Sequence, residues 1–388
     1  MKKVLLFLIS LLLPISIFAS ENTIMVDDSL ASNAKSAILI EATTGEILFE
    51  KNSHEKLAPA SMTKIMSMLV IIEAIEKGVI NWDDKITISE NASKMGGSQI
   101  LLEAGEVMTV SDLFKGVAVA SGNDAVVALA EATYGTVSEF VNEMNKKAKE
   151  LGLKDSNFKN PHGLDEANHY SSAYDMSVIA KELIKHEEVL KYTSIYEDYL
   201  RKGTDKEFWL VNTNKLVRFY NGADGLKTGY TDTAGYCLTA TAKKDNVRLI
   251  AVAMNEPSSS TRNAEISSLL DYGFAKITVY NIAKKDTVIK KEVIDKAAND
   301  YALIVPMYDV NIVKPKGTKL GKITYELKLK KIEAPIKKGT IIGNLKIKEN
   351  NKVINEIPVT VKEDITKTNI ISLYFKNIKD IITGNIIF

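Results

Sequence analysis

Three short runs of residues in this chain carry side chains that could do chemistry. Residues 61–64 read Ser-Met-Thr-Lys, residues 121–123 read Ser-Gly-Asn, and residues 227–229 read Lys-Thr-Gly. In the first run the hydroxyl of Ser61 is one helical turn from the amine of Lys64, so both can share one helix face. A serine hydroxyl becomes a good nucleophile when a base takes its proton, and burial or a nearby cation lets a lysine be that base. Together the three runs indicate acyl transfer through a serine.

The second run supplies groups that can assist the first. Ser121 can hydrogen-bond the lysine or pass a proton to a leaving amine, and the Asn123 amide can hold the lysine and bond a substrate backbone. The backbone N–H groups of Ser61 and Tyr230 are candidates for an oxyanion hole. Taken alone, Ser61 and Lys64 also fit a helix N-cap beside a surface lysine. The spacing Ser-x-x-Lys also begins at three other serines, Ser32, Ser53 and Ser156.

The third run suits a substrate that ends in a free carboxylate. Lys227 and Thr228 place a cation and a hydroxyl at what we predict to be the start of an edge strand. Gly229 lets another backbone approach this strand closely, and a peptide can lie alongside its free edge. Arg262 follows the predicted sheet and is either a further positive charge for the carboxylate or a plain surface residue.

Hydrophobic patterning predicts the elements that position these runs. Strands are predicted at both ends of the segment, at residues 36–40, 46–50, 227 onward, 236–243 and 247–254. Three helices are predicted between them, at residues 61–75, 111–120 and from residue 124. The second run therefore falls in the connection between two helices. Strands from both ends would form one antiparallel sheet packed against the helices, which is an α+β fold.

Composition limits the class of protein. The chain has 388 residues, 26% of them charged, and a net charge of +1, which gives no reason to expect nucleic acid as a partner. Lys2 and Lys3 precede an apolar run, which is the pattern of a signal peptide over residues 1–19, with an uncleaved N-terminal anchor as the alternative. Either way we predict export. The single cysteine, Cys237, lies in a predicted strand and is expected to be a buried thiol.

The rest of the chain divides into three predicted segments. Residues 20–276 form the α+β domain. Residues 277–365 are lysine-rich with short alternating stretches, which predicts a small all-β domain without a catalytic constellation. Residues 366–388 place isoleucines and aromatic residues on one helix face and lysines on the other, which predicts an amphipathic helix lying in a membrane surface. A terminal helix docked on the β-domain is the alternative.

These runs and their surroundings resemble the penicillin-binding protein and serine β-lactamase superfamily, in particular its low-molecular-mass D-alanyl-D-alanine carboxypeptidases. The similarity rests on five motifs: Pro-Ala-Ser-Met-Thr-Lys at 59–64, Ala-Ser-Gly-Asn-Asp-Ala at 120–125, His-Gly-Leu-Asp at 162–165, Ser-Ser-Ala-Tyr-Asp at 171–175 and Asp-Gly-Leu-Lys-Thr-Gly at 224–229. It extends to the order of signal peptide, catalytic domain, β-domain and terminal helix. The resemblance implies a β-lactamase-like antiparallel sheet with a helical cluster, followed by the small all-β domain.

The resemblance also implies an activity: removal of the terminal D-alanine from peptidoglycan stem peptides, outside the cytoplasmic membrane and peripheral on its outer face. The implied roles are nucleophile for Ser61, general base for Lys64, proton transfer and positioning for Ser121 and Asn123, and carboxylate binding for Lys227 and Thr228. β-Lactams would acylate the same serine as covalent inhibitors. No cofactor is implied, and no metal, since His162 and His169 are only two imidazoles where zinc takes three or four ligands.

Other functions of the same fold are alternatives at this stage. A serine β-lactamase uses the same three runs, but class A enzymes add a glutamate for deacylation, and the expected Glu-x-x-x-Asn pattern is absent around Glu166. A non-catalytic penicillin-binding wall protein would have the same fold, although all three runs are intact here. Endopeptidase and transpeptidase activity are further alternatives.

Overall fold

The computed structural model describes residues 29–294, 297–298, 301–330 and 332–368. The predicted signal peptide lies outside the described residues, and so does the predicted terminal helix from residue 369 onward. Residues 366–368, which begin that predicted helix, are not helical, and Lys367 pairs with Ala297 in an isolated bridge. Within the described ranges, no helix is both long and apolar enough to cross a membrane.

Strands at both ends of the first region enclose a set of helices. In chain order the elements are β1 (Ser36–Glu41), β2 (Ile47–Lys51), a 3-10 turn (Ala60–Thr63), α1 (Lys64–Glu76), β3 (Lys85–Thr87), α2 (Glu90–Ser93), β4 (Val107–Thr109), α3 (Val110–Ala120), α4 (Asn123–Tyr134), α5 (Val137–Glu150), α6 (Ala173–Leu183), α7 (Glu188–Thr193), β5 (Glu197–Leu200), β6 (Phe208–Val211), α8 (Leu216–Phe219), β7 (Ala223–Thr231), β8 (Gly235–Lys244), β9 (Val247–Glu256) and α9 (Ser259–Lys276).

An antiparallel sheet in the order β2-β1-β9-β8-β7 forms the centre of this region. The hairpin β1–β2 therefore pairs with strands from the far end of the segment, as the sequence predicted. The helical cluster around α1 covers one face and α9 covers the other, so the middle residues of β8 and β9 are buried on both sides. Within this sheet β7 is an edge strand, which leaves one row of its backbone groups outside the strand pairing.

The helix α1 lies at the centre of the helical cluster. It is buried from Lys64 to Ile72 and apolar on nearly every side, because α4, α5 and α6 contact it together with β7. Gly78 follows its last turn with a φ of 72°, which is the C-terminal position that the sequence predicted. Next in the cluster, α3 ends at Ser121 in the left-handed region and α4 begins at Asn123, so the second run is the predicted helix connection.

Two predicted element boundaries differ from the structure. Ser61 lies in the 3-10 turn before α1, where residues three apart are eclipsed and its side chain faces that of Lys64. The strand that carries Lys227 starts at Ala223, so Lys227 lies in the middle of β7 and the prediction that it opens the strand was wrong. Tertiary hydrogen bonds extend the strand: the Arg248 guanidinium donates to both oxygens of Asp224, at 2.9 and 2.7 Å.

The second region is a set of antiparallel strands. They are β10 (Ile277–Ala283), β11 (Lys290–Val293), β12 (Tyr301–Pro306), β13 (Val310–Pro315), β14 (Ile323–Leu329), β15 (Gly343–Glu349) and β16 (Lys352–Val361). Five of them form a sheet in the order β11-β12-β16-β15-β14, and β10 pairs with β13. The alternating stretches that predict strands in the sequence, at residues 301–305, 322–329, 341–347 and 353–361, correspond to β12, β14, β15 and β16. The other three strands were not predicted from the sequence.

A tight contact between a loop and the 3-10 turn gives a test of the fold. Gly163 has a φ of 89°, and a Cβ atom there would lie 1.9 Å from the carbonyl oxygen of Ala60. Gly152 has a φ of 73° with nothing within 4 Å of its Cβ position. We expect Gly152→Ala to cost about 1 kcal/mol of unfolding free energy from backbone strain alone. Gly163→Ala adds the collision and should cost roughly 3 kcal/mol or more.

Thermal unfolding of the two alanine variants measures this difference. The melting temperature of Gly163→Ala should fall well below that of Gly152→Ala. Equal melting temperatures would mean that the loop around residue 163 can move away from the 3-10 turn without cost.

Candidate active site

The amine of Lys64 joins three segments of the chain. Its Nζ atom donates to Ser61 Oγ at 3.0 Å, to Asn123 Oδ1 at 2.6 Å and to the carbonyl oxygen of His162 at 2.8 Å. A neutral amine has two protons and one lone pair. When the two N–H groups of the neutral amine donate to Asn123 and to the carbonyl oxygen of His162, the lone pair faces Ser61. The lone pair can then take the proton of the Ser61 hydroxyl. The structure thus brings the predicted nucleophile and base into hydrogen-bond contact.

Burial and charge lower the pKa of Lys64. The side chain is completely buried, and this loss of hydration lowers the pKa well below its ordinary value, with the positive charge of Lys227 acting in the same direction. The carboxylate of Asp124 opposes this shift but is occupied by the N–H groups of Ile100, Leu102 and Ala125. The environment therefore favours the neutral amine that a general base requires.

The second run is positioned by the connection between α3 and α4. Ser121 is buried with a φ of 64°, at the C-terminal end of α3. Within the described residues the Lys64 amine donates to the three partners given above and not to Ser121, so the predicted bond between Ser121 and Lys64 is absent. Asn123 uses both ends of its amide: Oδ1 accepts from Lys64, and Nδ2 donates to the carbonyl oxygen of Gly96 at 2.7 Å. The predicted contact of Asn123 with the lysine is present.

Lys227 and Thr228 lie on the edge strand beside a residue that the sequence did not predict. The Lys227 amine donates to the carbonyl oxygen of Thr228 at 3.0 Å and lies 3.4 Å from Thr213 Oγ1, and the two threonine hydroxyls are 2.8 Å apart. Burial, followed by the charge of Arg262, lowers the pKa of Lys227 to about 7. Thr213 follows β6 in a polar Asn-Thr-Asn run. That run was the only feature of the sequence that could have indicated a site residue there.

Gly229, Tyr230 and Arg262 complete the predicted set. A Cβ atom on Gly229 would lie 2.7 Å from the carbonyl oxygen of Pro59, so glycine allows β7 to pack closely against the 3-10 turn that holds Ser61. The side chain of Tyr230 is half exposed, and its hydroxyl donates to Asp232 at 2.9 Å. Arg262 is a buried residue of α9 rather than a surface residue, and its guanidinium donates to Asn263.

The two histidines near the site have structural partners. Burial lowers the pKa of His162 to about 3 and that of His169 to about 4, so both imidazoles are neutral at physiological pH. His169 Nε2 is 2.8 Å from Thr63 Oγ1, and its Nδ1 accepts from the backbone N–H of Lys159. In the part of the chain that the structure describes, no group of three or more histidine, cysteine or acidic residues could hold a metal ion.

Cys237 is buried in β8, as the sequence predicted. Burial raises the pKa of its thiol to about 11, which disfavours the thiolate form. The backbone N–H of Asn255 lies 3.4 Å from its sulfur. Cys237 therefore has the environment of a packed core residue rather than that of a nucleophile.

Comparison with known proteins identifies the family of this chain. Residues 22–258 match the family model described as D-alanyl-D-alanine carboxypeptidase, and residues 278–367 match the model of the C-terminal domain of penicillin-binding protein 5. The chain is 51% identical over 352 residues to D-alanyl-D-alanine carboxypeptidase DacF of Bacillus subtilis (strain 168), covering 90% of each chain. It is 34% identical to DacA of Escherichia coli (strain K12), covering 87% of this chain and 85% of that one.

Comparison with solved structures leads to the same family. The structure of penicillin-binding protein 5 from Haemophilus influenzae matches with a TM-score of 0.67 and 34% identity, covering 86% of this chain and 98% of that chain. Both the sequence and the structural matches extend over the sheet, the helical cluster and the β-strands that follow. The chain therefore belongs to the D-alanyl-D-alanine carboxypeptidase family of serine peptidases.

Proposed function

We propose that this protein removes the terminal D-alanine from peptidoglycan stem peptides through an acyl intermediate on Ser61. The observation that carries the proposal is the 3.0 Å contact between Ser61 Oγ and the buried amine of Lys64. Family membership supports the substrate, because the relatives named above are D-alanyl-D-alanine carboxypeptidases.

In the acylation step Lys64 takes the proton of Ser61 as Oγ attacks the carbonyl carbon of the penultimate D-alanine. Negative charge that develops on the carbonyl oxygen is accepted by the backbone N–H groups of Ser61 and Tyr230. The C–N bond then breaks, and the leaving amine receives the proton that Lys64 took. The Ser121 hydroxyl would relay this proton if it turned toward Lys64, a contact that the described structure does not contain. The products are free D-alanine and an ester on Ser61.

Hydrolysis of the ester regenerates the enzyme. Lys64 takes a proton from a water molecule, whose oxygen attacks the ester carbon, and the Ser61 oxygen leaves with the proton that Lys64 returns. The shortened peptide carries the new carboxylate. Each step uses the same lysine first as a base and then as an acid, which suits an amine whose pKa is lowered by burial.

Lys227, Thr228 and Arg262 would select the substrate by its terminal carboxylate. Lys227 and Thr228 place a buried cation and a hydroxyl on the edge strand, and the buried guanidinium of Arg262, on α9, is near enough to lower the pKa of Lys227. An anion placed there would gain charge-assisted hydrogen bonds. A substrate peptide can lie antiparallel along β7, whose edge is unpaired within the described sheet. The neighbouring hydroxyl of Thr213 extends this polar surface.

β-Lactams should acylate Ser61 and leave slowly. Penicillin-binding protein D2 from Listeria monocytogenes, 30% identical with a TM-score of 0.57 and covering 63% of this chain, has been solved with ampicillin bound. Glu166, the glutamate considered for a β-lactamase, accepts a hydrogen bond from Asn160 at 3.1 Å within its own loop. The Glu-x-x-x-Asn pattern by which class A enzymes place their deacylating glutamate is absent around it.

Replacing the nucleophile tests the proposed reaction. Ser61→Ala should lower the rate of D-alanine release from a peptide ending in D-Ala-D-Ala by about 10⁴-fold or more, because the acyl intermediate can no longer form. Mass spectrometry of the product checks that a single D-alanine is lost. Ser268→Ala is the control, since that exposed serine only donates to a carbonyl oxygen within α9. Equal release by Ser61→Ala and the unmodified protein would exclude the mechanism.

The pH dependence of kcat/KM should be bell-shaped, because kcat/KM reports groups of the free enzyme. Protonation of Lys64 removes the base and gives the acid limb. Loss of the proton from Lys227, whose pKa is about 7, weakens carboxylate binding and gives the alkaline limb near that pH. The same peptide with a terminal carboxamide should turn over more slowly and lack the alkaline limb. An identical alkaline limb for both peptides would contradict this role of Lys227.

We further infer that the chain is exported and held at the outer face of the cytoplasmic membrane by residues 369–388, with the domain of residues 277–365 between that segment and the site. The predicted helix pattern supports the inference, because isoleucines and aromatic residues share one face while Ser372, Lys376, Lys379 and Asp380 fall on the other. Deleting residues 369–388 should abolish co-sedimentation with anionic phospholipid vesicles while D-alanine release from a soluble peptide continues. Undiminished co-sedimentation of the truncated protein would contradict the anchor.

A further inference from the structure

The loop of residues 94–106, which connects α2 to β4, covers the side chain of Asn123. The carbonyl oxygen of Gly96 accepts from Asn123 Nδ2 at 2.7 Å, and the carbonyl oxygen of Ser98 accepts from the backbone N–H of Asn123 at 2.7 Å. Asn123 is only 2% exposed, although it is the first residue of α4. The 94–106 loop therefore fixes the amide whose Oδ1 atom accepts from Lys64.

Arg201 connects this loop to the β5–β6 hairpin. It directly follows β5, and its side chain is only 9% exposed. Its Nε and Nη2 atoms donate to the two carboxylate oxygens of Glu106 at 2.5 and 3.1 Å. Nη1 donates to the carbonyl oxygen of Ile100 at 3.1 Å, and Nη2 also donates to that of Leu101 at 3.3 Å. The planar guanidinium has enough N–H donors to bind the carboxylate and both carbonyl groups at once.

Two residues with a left-handed backbone meet at this contact. Leu101 has a φ of 57° and Arg201 a φ of 53°, and neither is a glycine. Such a backbone costs free energy and persists only where surrounding contacts enforce it. The side chain of Leu101 is 61% exposed, so its own burial cannot compensate fully for this cost. The hydrogen bonds of Arg201 to the loop are the contacts that enforce the strained geometry.

Asp124 holds the same stretch of the loop from α4. Its carboxylate accepts from the backbone N–H of Ile100 at 3.0 Å and from that of Leu102 at 3.1 Å. The N–H of Ile100 is thus bound by Asp124 and its carbonyl oxygen by Arg201. Because Asp124 follows Asn123 directly, the loop is fixed relative to the first turn of α4. Movement of the loop would therefore be transmitted to Asn123.

The position of the Asn123 amide matters for acyl transfer. Its Oδ1 atom receives one of the protons of Lys64 and so helps to aim the lone pair of the amine at Ser61. If the loop moved, the amide could rotate and water could reach the amine. The charged and titratable groups that face the amine are Lys227 on β7, Asp124 on α4 and His162 in the loop before Gly163.

We propose that Arg201 is a positioning residue for acyl transfer: it holds the 94–106 loop over Asn123 and thereby keeps the Lys64 amine aligned with the Ser61 hydroxyl. Arg201 touches none of the reacting atoms and acts through the loop and the amide. The proposal rests on the acylation of Ser61 proposed above and deepens it, since it names the group outside the site that maintains the geometry of the base.

The rate of acylation per active site tests the proposal. A fluorescent penicillin labels the protein, and the rate constant is taken only for the fraction that becomes labelled at completion. Arg201→Ala should lower this rate constant roughly 10-fold to 100-fold, because a small misplacement of a catalytic group is costly. Arg201→Lys should have an intermediate rate constant, since an ammonium group can pair with Glu106 but lacks the fork that binds both carbonyl groups.

The pH dependence of the same rate constant separates positioning from a purely structural role. Water that reaches Lys64 relieves part of the burial that lowers its pKa, so the amine stays protonated to a higher pH. The acid limb of the labelling rate should therefore move to higher pH in Arg201→Ala. A smaller labelled fraction with an unchanged rate constant and an unchanged acid limb would overturn the proposal. If Arg201→Ala does not fold, Arg201→Lys provides the same comparison.

Arg218→Ala is the matched control. Its guanidinium, on α8, lies over the rings of Tyr196 and Phe219, and the side chain is 55% exposed. This variant removes a charge of the same kind near the β5–β6 hairpin and should leave the rate constant and the acid limb unchanged. An equal effect of both alanine variants would also overturn the proposal.

Hydrogen exchange separates this proposal from the proposed function. The backbone N–H groups of Ile100, Leu102 and Asn123 donate within the loop contact, and their exchange is measured without substrate. Arg201→Ala should speed their exchange about tenfold or more. If the unmodified protein neither released D-alanine nor became labelled, acyl transfer would be wrong, but this faster exchange would still support the role of Arg201 in holding the loop. Unchanged exchange would reject that role whether or not the protein is active.

Discussion

The buried amine of Lys64 is the constraint on which the rest of the structure depends. An amine removed from water needs hydrogen-bond partners, and each partner here comes from a different segment: the 3-10 turn, the start of α4 and the loop before Gly163. These segments can supply the partners only if the helices hold them in fixed positions. The burial that demands such an arrangement also lowers the pKa of the amine, so structural and catalytic requirements coincide.

A second buried lysine extends this constraint to the sheet. Lys227 lies on the edge strand β7, and its charge contributes to the lowered pKa of Lys64. The strand reaches the 3-10 turn because Gly229 has no side chain to meet the carbonyl oxygen of Pro59. Close packing of strand and turn thus joins the nucleophile, the base and the proposed carboxylate site into one unit, while the free edge of β7 leaves room for a peptide.

Local patterns predicted much of this arrangement. The hairpin β1–β2, the buried helix α1 and the connection at Ser121 each depend on neighbouring residues, so apolar periodicity and turn residues were sufficient. The start of β7 was predicted too late because its first residues resemble a turn, and Asp224 is held in the strand by Arg248 from another strand. Thr213 and the carbonyl oxygen of His162 were missed because threonines and backbone carbonyls carry no distinctive signal in a sequence.

The sequence by itself determined the chemical groups and their order along the chain: a serine and a lysine one turn apart, an amide in a helix connection and a cation on a strand. The residues of these runs and of the motifs around them also indicated the family. Only the tertiary structure decided that Lys64 is completely buried, that Arg262 lies inside rather than on the surface, and that Arg201 contacts the loop over Asn123. The reason is physical: burial and charge proximity depend on segments far apart in the chain, and no local pattern records which of them will meet.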